Sequence, residues 1–255
     1  MEGYTGGANG RSNAVTSASD QRIQSLIERY YPPATHPYHR LTDDIQSRLY
    51  PEATVLEIGC GRTAPVLFAM KGQAARLIGI DVVDFTVADP ALELWRSDVT
   101  AMTQIADGSV NLAFSRSVME HIDDVTRAYA EISRVLAPGG TYTFLTPNFW
   151  DYASLIAAVV PNALHGRIVR ATEGRDEDDV FPTHYKSNTG RAIRRLASTA
   201  GLSVERLDYL NQYPAYFRFS PALFHLGCLY GKMLERVRPL NGLQGWILCV
   251  LRKAP

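Results

Sequence analysis

The stretch Val55-Leu56-Glu57-Ile58-Gly59-Cys60-Gly61-Arg62-Thr63-Ala64-Pro65 restricts this chain more than any other. An apolar strand runs into two glycines one residue apart, and a helix begins within a few residues. Bare backbone at that corner lets a nucleoside come close to the main chain where strand becomes helix. Such a corner requires a strand–turn–helix unit, and the rest of the chain supplies more of them. "ARLIGIDVV", a short strand before Asp98, "VNLAFS", "TYTFLTPN", "LSVERLDYL" and "WILCVLRK" read as further strands. Strands alternating with helices imply a parallel sheet with right-handed crossovers.

The intervening helices are legible from periodicity and caps. Residues 20–31 place Ile23, Leu26, Ile27 and Tyr30 on one face, "PPATHP" ends that helix, and a short helix follows at about 42–50. A helix from Ala64 to Met70 leaves the glycine turn. In "DDVTRAYAEISRVLAPGG" the residues Val125, Ala128, Tyr129, Ile132, Val135 and Leu136 share a face. Asp123 suits the start of this helix and Pro138-Gly139-Gly140 its end. "TGRAIRRLASTAG" reads as a helix capped by Ser187 or Thr189. In "PALFHLGCLYGKMLERV" the residues Leu223, Leu226, Tyr230, Met233 and Val237 form an apolar stripe, with more basic than acidic residues around it. That stripe fits core, a dimer face or peripheral contact with a membrane through 221–238.

Composition removes several classes. With 26 Lys+Arg against 26 Asp+Glu the net charge is zero, so no global basic field exists to hold nucleic acid. Cys60, Cys228 and Cys249 are few, odd in number and widely spaced. They make neither a zinc pattern nor a disulfide framework, which suits a reducing cytoplasm. No run approaches the length of a membrane-spanning helix. The Gly/Ser/Asn-rich residues 1–18 are expected to be a disordered tail. The acid run Asp176-Glu177-Asp178-Asp179 reads as a solvated loop, and no metal site is expected.

Gly59-Cys60-Gly61-Arg62-Thr63-Ala64 fits G-x-G-x-x-A, and Asp81 lies 20 residues after Gly61 at the end of the second strand. A carboxylate there can accept hydrogen bonds from ribose hydroxyls. NAD and S-adenosylmethionine (SAM) both satisfy this much. Glu57 separates them. A diphosphate wants donors and positive potential at the turn, which an adjacent acid opposes. SAM brings an ammonium and a sulfonium, which a carboxylate favours.

Five segments, in order over about residues 52–148, carry a family resemblance: "VLEIGCGRT", "IGIDVV", "RSDVT", "VNLAFSRSVMEHIDD" and "VLAPGGTYTFLTPN". The chain resembles class I SAM-dependent methyltransferases of the type 11 kind. The resemblance implies an α/β sheet of seven strands, mostly parallel with an antiparallel last strand and helices on both faces. An N-terminal helical cap would span 19–50 and the methyltransferase domain 51–255, with acceptor-side insertions at about 149–188 and 211–244. It implies Glu57, Gly59, Cys60 and Gly61 around the methionine moiety and Asp81 on the ribose. It also implies Val82 against the adenine, Asp98 and Val99 at the adenine edge, and Ser115 beneath the amino-acid end. Thr63 departs from members with a third glycine there and is expected to cap the next helix instead. A NAD-dependent oxidoreductase, or a non-catalytic SAM-binding subunit, is the alternative.

Three residues are candidates for catalysis. His121 follows the fourth strand, at the cleft, and histidine is the side chain suited to taking a hydroxyl proton near neutral pH. Its bland alternative is a loop hydrogen bond. His184 and Tyr185 fall between strands five and six, where acceptor-binding insertions occur in this family; a packed tyrosine and a rim histidine are the alternatives. Phe149, Trp150 and Tyr152 suit an acceptor pocket, and Leu155, Ile156 and Val159 suit a helix against the sheet. The preferred acceptor is a sugar, glycan precursor or other small-molecule hydroxyl.

Overall fold

The computed structural model describes residues 17–152 and 181–255. The expectations for the tail at 1–16, for Leu155, Ile156 and Val159, and for the acid run Asp176–Asp179 lie outside the described residues.

Seven strands form one sheet in the order β3-β2-β1-β4-β5-β7-β6. They are β1 (Thr54–Ile58), β2 (Arg76–Asp81), β3 (Glu93–Arg96), β4 (Val110–Arg116), β5 (Leu136–Pro147), β6 (Leu202–Leu210) and β7 (Trp246–Lys253). β7 runs antiparallel to both its neighbours, and the other pairings are parallel. The helices are α1 (Ala18–Tyr30), α2 (Pro37–Arg48), α3 (Pro65–Ala69), α4 (Val125–Val135), α5 (Gly190–Thr199) and α6 (Pro221–Arg236).

Both sheet faces are covered, so the central strands are apolar on both sides. On one face Leu56, Ile58, Ile80, Ala113 and Tyr142 meet the buried stripes of α4 and α5. On the other, Val55, Leu77, Leu112 and Phe114 meet Leu41 and Ile45 of α2 and Leu67 of α3. Each such fully buried aliphatic residue contributes about 1.5–3 kcal/mol of burial. A third cluster joins Ile23 and Tyr31 at α1 to Phe224 and Cys228 of α6.

One polar cluster fixes the N-terminal cap to the sheet. Asp44 of α2 is buried and accepts from Arg48 Nε (3.0 Å), Arg206 Nη2 (2.7 Å) and Thr143 Oγ1 (2.8 Å). A buried carboxylate costs free energy unless paired and hydrogen-bonded. These three donors from α2, β6 and β5 satisfy that need and set how α2 lies across the sheet.

Several local expectations need correction. α4 is capped by Asp124, whose side chain accepts from Arg127 N–H (3.0 Å), and not by Asp123. Asp123 instead pairs with Lys186. The same helix ends at Val135, ahead of Pro138-Gly139-Gly140, because Leu136 already pairs with Val110 as the start of β5. Thr63 does not cap α3: the cap position is Ala64, in the left-handed region at φ 43°, with no side-chain cap bond. Of the two caps proposed for α5, Thr189 is the one used. The second helix is Pro37–Arg48 rather than about 42–50, because His36 caps it through its ring and Pro37 occupies the first turn. The apolar stripe of α6 is not core. Leu223, Leu226, Tyr230, Met233 and Val237 are exposed, and the buried face is Phe224, Cys228, Gly231 and Leu234.

Candidate active site

The sheet order reverses at β1 and β4, and the crevice beyond the carboxyl ends of these strands is where α/β sheets bind ligands. The glycine turn opens there. Gly59 and Gly61 adopt φ of +74° and +71°, which L side chains rarely adopt. At Gly59 a Cβ would also lie 2.3 Å from Val118 Cγ2, so the turn needs glycine twice over.

Asp81 stands where the sequence places it. Its carboxylate accepts from Gly61 N–H (2.7 Å) and Val83 N–H (3.2 Å), which ties the end of β2 to the turn. An ionised carboxylate has about four acceptor sites, so two bonds leave capacity for ribose hydroxyls. Val82 is exposed beside it. Asp98 is exposed, and its Oδ1 takes both the amide and the hydroxyl of Thr100 at 2.7 Å. The Val99 side chain is core, leaving only its backbone for an adenine edge. Cys60 is buried against the same core as α3.

Glu57 is buried, and its Oε2 has no hydrogen-bond partner. Burial pushes its carboxyl up to about 8. The Arg116 guanidinium and the Leu67 amide oppose that shift, and Asp81 adds to it. A buried acid with one oxygen unsatisfied is a site for a cation or a donor. SAM offers an ammonium, so these residues fit SAM.

Ser115 requires correction. Its hydroxyl shares a short bond with Tyr142 (2.6 Å) on the opposite sheet face from Glu57, because side chains alternate along β4. The next residue, Arg116, faces the Glu57 side instead. Its guanidinium lies 4.8 Å from the ring centroid of Tyr38 in α2. Tyr38 carries no motif that links it to β4.

Beside the cofactor crevice is a cavity of about 510 Å³. Seven tyrosines line it, from residues 31, 38, 152, 185, 213, 216 and 230, together with His36, His121, Glu120, Asp151 and Trp246. His121 and Tyr185 are therefore brought together. His184 is not among the lining residues and lies 3.5 Å from Asp123, outside the cavity. Phe149 and Trp150 are also absent from the lining, whereas Tyr152 is present.

Glu120 organises this corner and was not singled out by the sequence. Its backbone carbonyl accepts from His184 N–H (2.7 Å) and Tyr185 N–H (3.2 Å). Its buried Oε2 accepts from Thr146 Oγ1 (3.1 Å), which in turn accepts from Asn188 Nδ2 (2.7 Å). His121 Nδ1 meets the Pro182 carbonyl at 2.9 Å. A carbonyl only accepts, so Nδ1 carries the proton and Nε2 is the basic nitrogen. Glu120 Oε1 is 3.9 Å from that nitrogen. Among the described residues no cluster of three His, Cys, Asp or Glu could hold a metal ion.

Comparison with known proteins agrees with the geometry. A methyltransferase domain family model matches residues 56–144. A probable S-adenosylmethionine-dependent methyltransferase of Mycolicibacterium smegmatis is 28% identical over 203 residues, covering 77% of this chain and 69% of that protein. The chain spans 35–69% of the length of the curated relatives it matches. Among solved structures, an S-adenosylmethionine-dependent methyltransferase from Mesorhizobium loti has a TM-score of 0.55 at 16% identity, covering 83% of this chain and 96% of that one. Geranyl diphosphate C-methyltransferase from Streptomyces coelicolor, solved with S-adenosyl-L-homocysteine, has a TM-score of 0.57 at 15% identity and covers 95% and 86%. The sheet and its glycine turn are those of a nucleoside-binding α/β enzyme. The methyltransferase-domain match, the named methyltransferase relatives and the fold support a class I SAM-dependent methyltransferase with SAM as its cofactor.

Proposed function

We propose that the chain methylates a hydroxyl of a sugar, glycan precursor or other small molecule, and that the acceptor binds in the tyrosine-lined cavity. The observation that carries this reading is the lining itself. Tyrosines offer flat apolar faces and hydroxyls together, which suits the C–H faces and hydroxyls of a saccharide. Among the described residues that line it there is no lysine or arginine.

SAM supplies an electrophilic methyl on a sulfonium. With both bound, the acceptor oxygen would form the new bond to that carbon while the C–S electrons stay on sulfur. The protein's part is positioning in line and removal of one proton. In this reading His121 Nε2 takes the hydroxyl proton. Nδ1 held on the Pro182 carbonyl fixes the ring, with Glu120 Oε1 3.9 Å from Nε2. Tyr185, held by the Glu120 carbonyl, orients the acceptor.

The test is turnover of SAM against panels of glycosides, phenols, amines and carbon nucleophiles. S-adenosylhomocysteine release and product mass are the readouts. Release that depends on a hydroxylated acceptor is expected. Transfer only to nitrogen or carbon would overturn the acceptor class. Tight SAM binding with no turnover on any panel would point to a binding subunit.

A further inference from the structure

Helix α6 is apolar on two sides. Its inner face packs on α1 and walls the cavity with Gly227, Gly231 and Leu234. Its outer face is a continuous stripe of Leu223, Leu226, Leu229, Met233 and Val237, all exposed. Phe219 extends the stripe beyond the N-terminal end of the helix and is 76% exposed. Exposed apolar groups scattered singly need no explanation, but a patch gathered on one helix marks an interaction surface.

The surrounding charge selects the partner. From 218 to 243 the only acid is Glu235, and Lys232 pairs with it at 2.8 Å. Arg218 at one end of the stripe, and Arg236 and Arg238 at the other, are all exposed. A second copy docked on this face would bring arginines against arginines in either antiparallel or parallel alignment, which like charges oppose. A surface that is negative and has an apolar interior beneath it meets both requirements. We propose that α6 docks this protein on the surface of an anionic lipid bilayer, its apolar stripe entering the headgroup boundary and the three arginines meeting lipid phosphates. No helix among the described residues is long and apolar enough to cross a membrane, so the contact is peripheral.

The proposal does not depend on the acceptor, and its test uses neither SAM nor acceptor. The full chain is sedimented with vesicles of equal parts phosphatidylglycerol and phosphatidylcholine, and with phosphatidylcholine alone. Binding to the anionic vesicles at least about tenfold stronger is expected, weakening as salt is raised. The double variant Leu226→Glu/Leu229→Glu should abolish binding with an unchanged Tm, since both side chains are exposed. Arg236→Glu/Arg238→Glu should erase the preference for anionic lipid. No sedimentation with either vesicle would overturn the proposal, as would binding indifferent to the leucine variants. So would a dimer in sedimentation velocity that Leu226→Glu dissolves, without vesicle binding.

Discussion

The cofactor half and the acceptor half of this molecule are built by different means. The cofactor half is a series of local events at the ends of adjacent strands: the Gly59–Gly61 turn after β1, Asp81 at the end of β2 and Asp98 just beyond β3. Each is set by its own short segment, and parallel register does the assembly. The acceptor half joins Tyr31 and Tyr38 from the N-terminal cap, Glu120 and His121 after β4, Tyr185 before α5 and Tyr230 from α6. No two of those segments are neighbours in sequence, and each reaches the cavity through packing or one hydrogen bond. A cofactor site can therefore be broken at one backbone position, whereas the acceptor site fails through its supports.

The sharpest way to break the first half is Gly59→Ala. The new methyl would meet Val118 Cγ2 and the backbone would be strained, together costing about 3 kcal/mol or more. Calorimetry should show SAM binding lost or Tm strongly reduced. Gly61→Ala, with a similar φ and nothing within 4 Å of the added carbon, should cost only the strain, about 1 kcal/mol. Val118→Ala in the Gly59→Ala background should recover the difference. Equal losses at the two glycines would mean that close packing of Val118 is irrelevant.

In the acceptor half the largest expected effect is on rate. His121→Ala should lower kcat about a hundredfold with SAM affinity nearly unchanged, and the loss should shrink as pH rises and the acceptor ionises itself. Glu120→Gln should keep the Thr146 contact in one amide orientation and reduce kcat less. If His121→Ala instead weakens SAM binding and leaves the shape of the pH profile alone, the residue is a loop support.

The same contrast explains what the sequence could show. The glycine turn and the Asp81 register come from contiguous motifs, the antiparallel last strand comes from the family resemblance those motifs carry, and the structure agrees with them. Periodicity found the stripe of α6 but assigned it no side. A helix apolar on both faces gives one period twice, and only the position of α1 decides which is inner. Ser115 was placed by the family resemblance, whereas the alternation of β4 turns Arg116, not Ser115, toward Glu57. The stacking of Arg116 on Tyr38 spans two elements with no shared motif. The role of Glu120 depends on Thr146, itself held by Asn188, and these meet only once β5 and the segment before α5 are in place.

The last effect predicted joins chemistry to the opening motif. Burial raises the Glu57 carboxyl to about 8 in the free protein, far above its unfolded value. A raised acid binds its proton more tightly folded than unfolded. Its contribution to stability is thus fully present below the unfolded pKa and is lost as pH rises through about 8. SAM acts in the opposite direction, because its ammonium favours the ionised acid. Between about pH 6 and 7 SAM affinity should then rise up to about tenfold, since one proton leaves per molecule bound. Titrations at pH 7 in buffers of different ionisation enthalpy should show heats that differ by close to one proton released. Glu57→Gln should abolish that dependence, weaken SAM at pH 8, and make the free protein more stable than the parent above pH 8. A buffer-independent heat in the parent would mean that Glu57 stays protonated beside the bound cofactor. Its unsatisfied oxygen would then act as a hydrogen-bonding group, without the charge that first separated SAM from NAD.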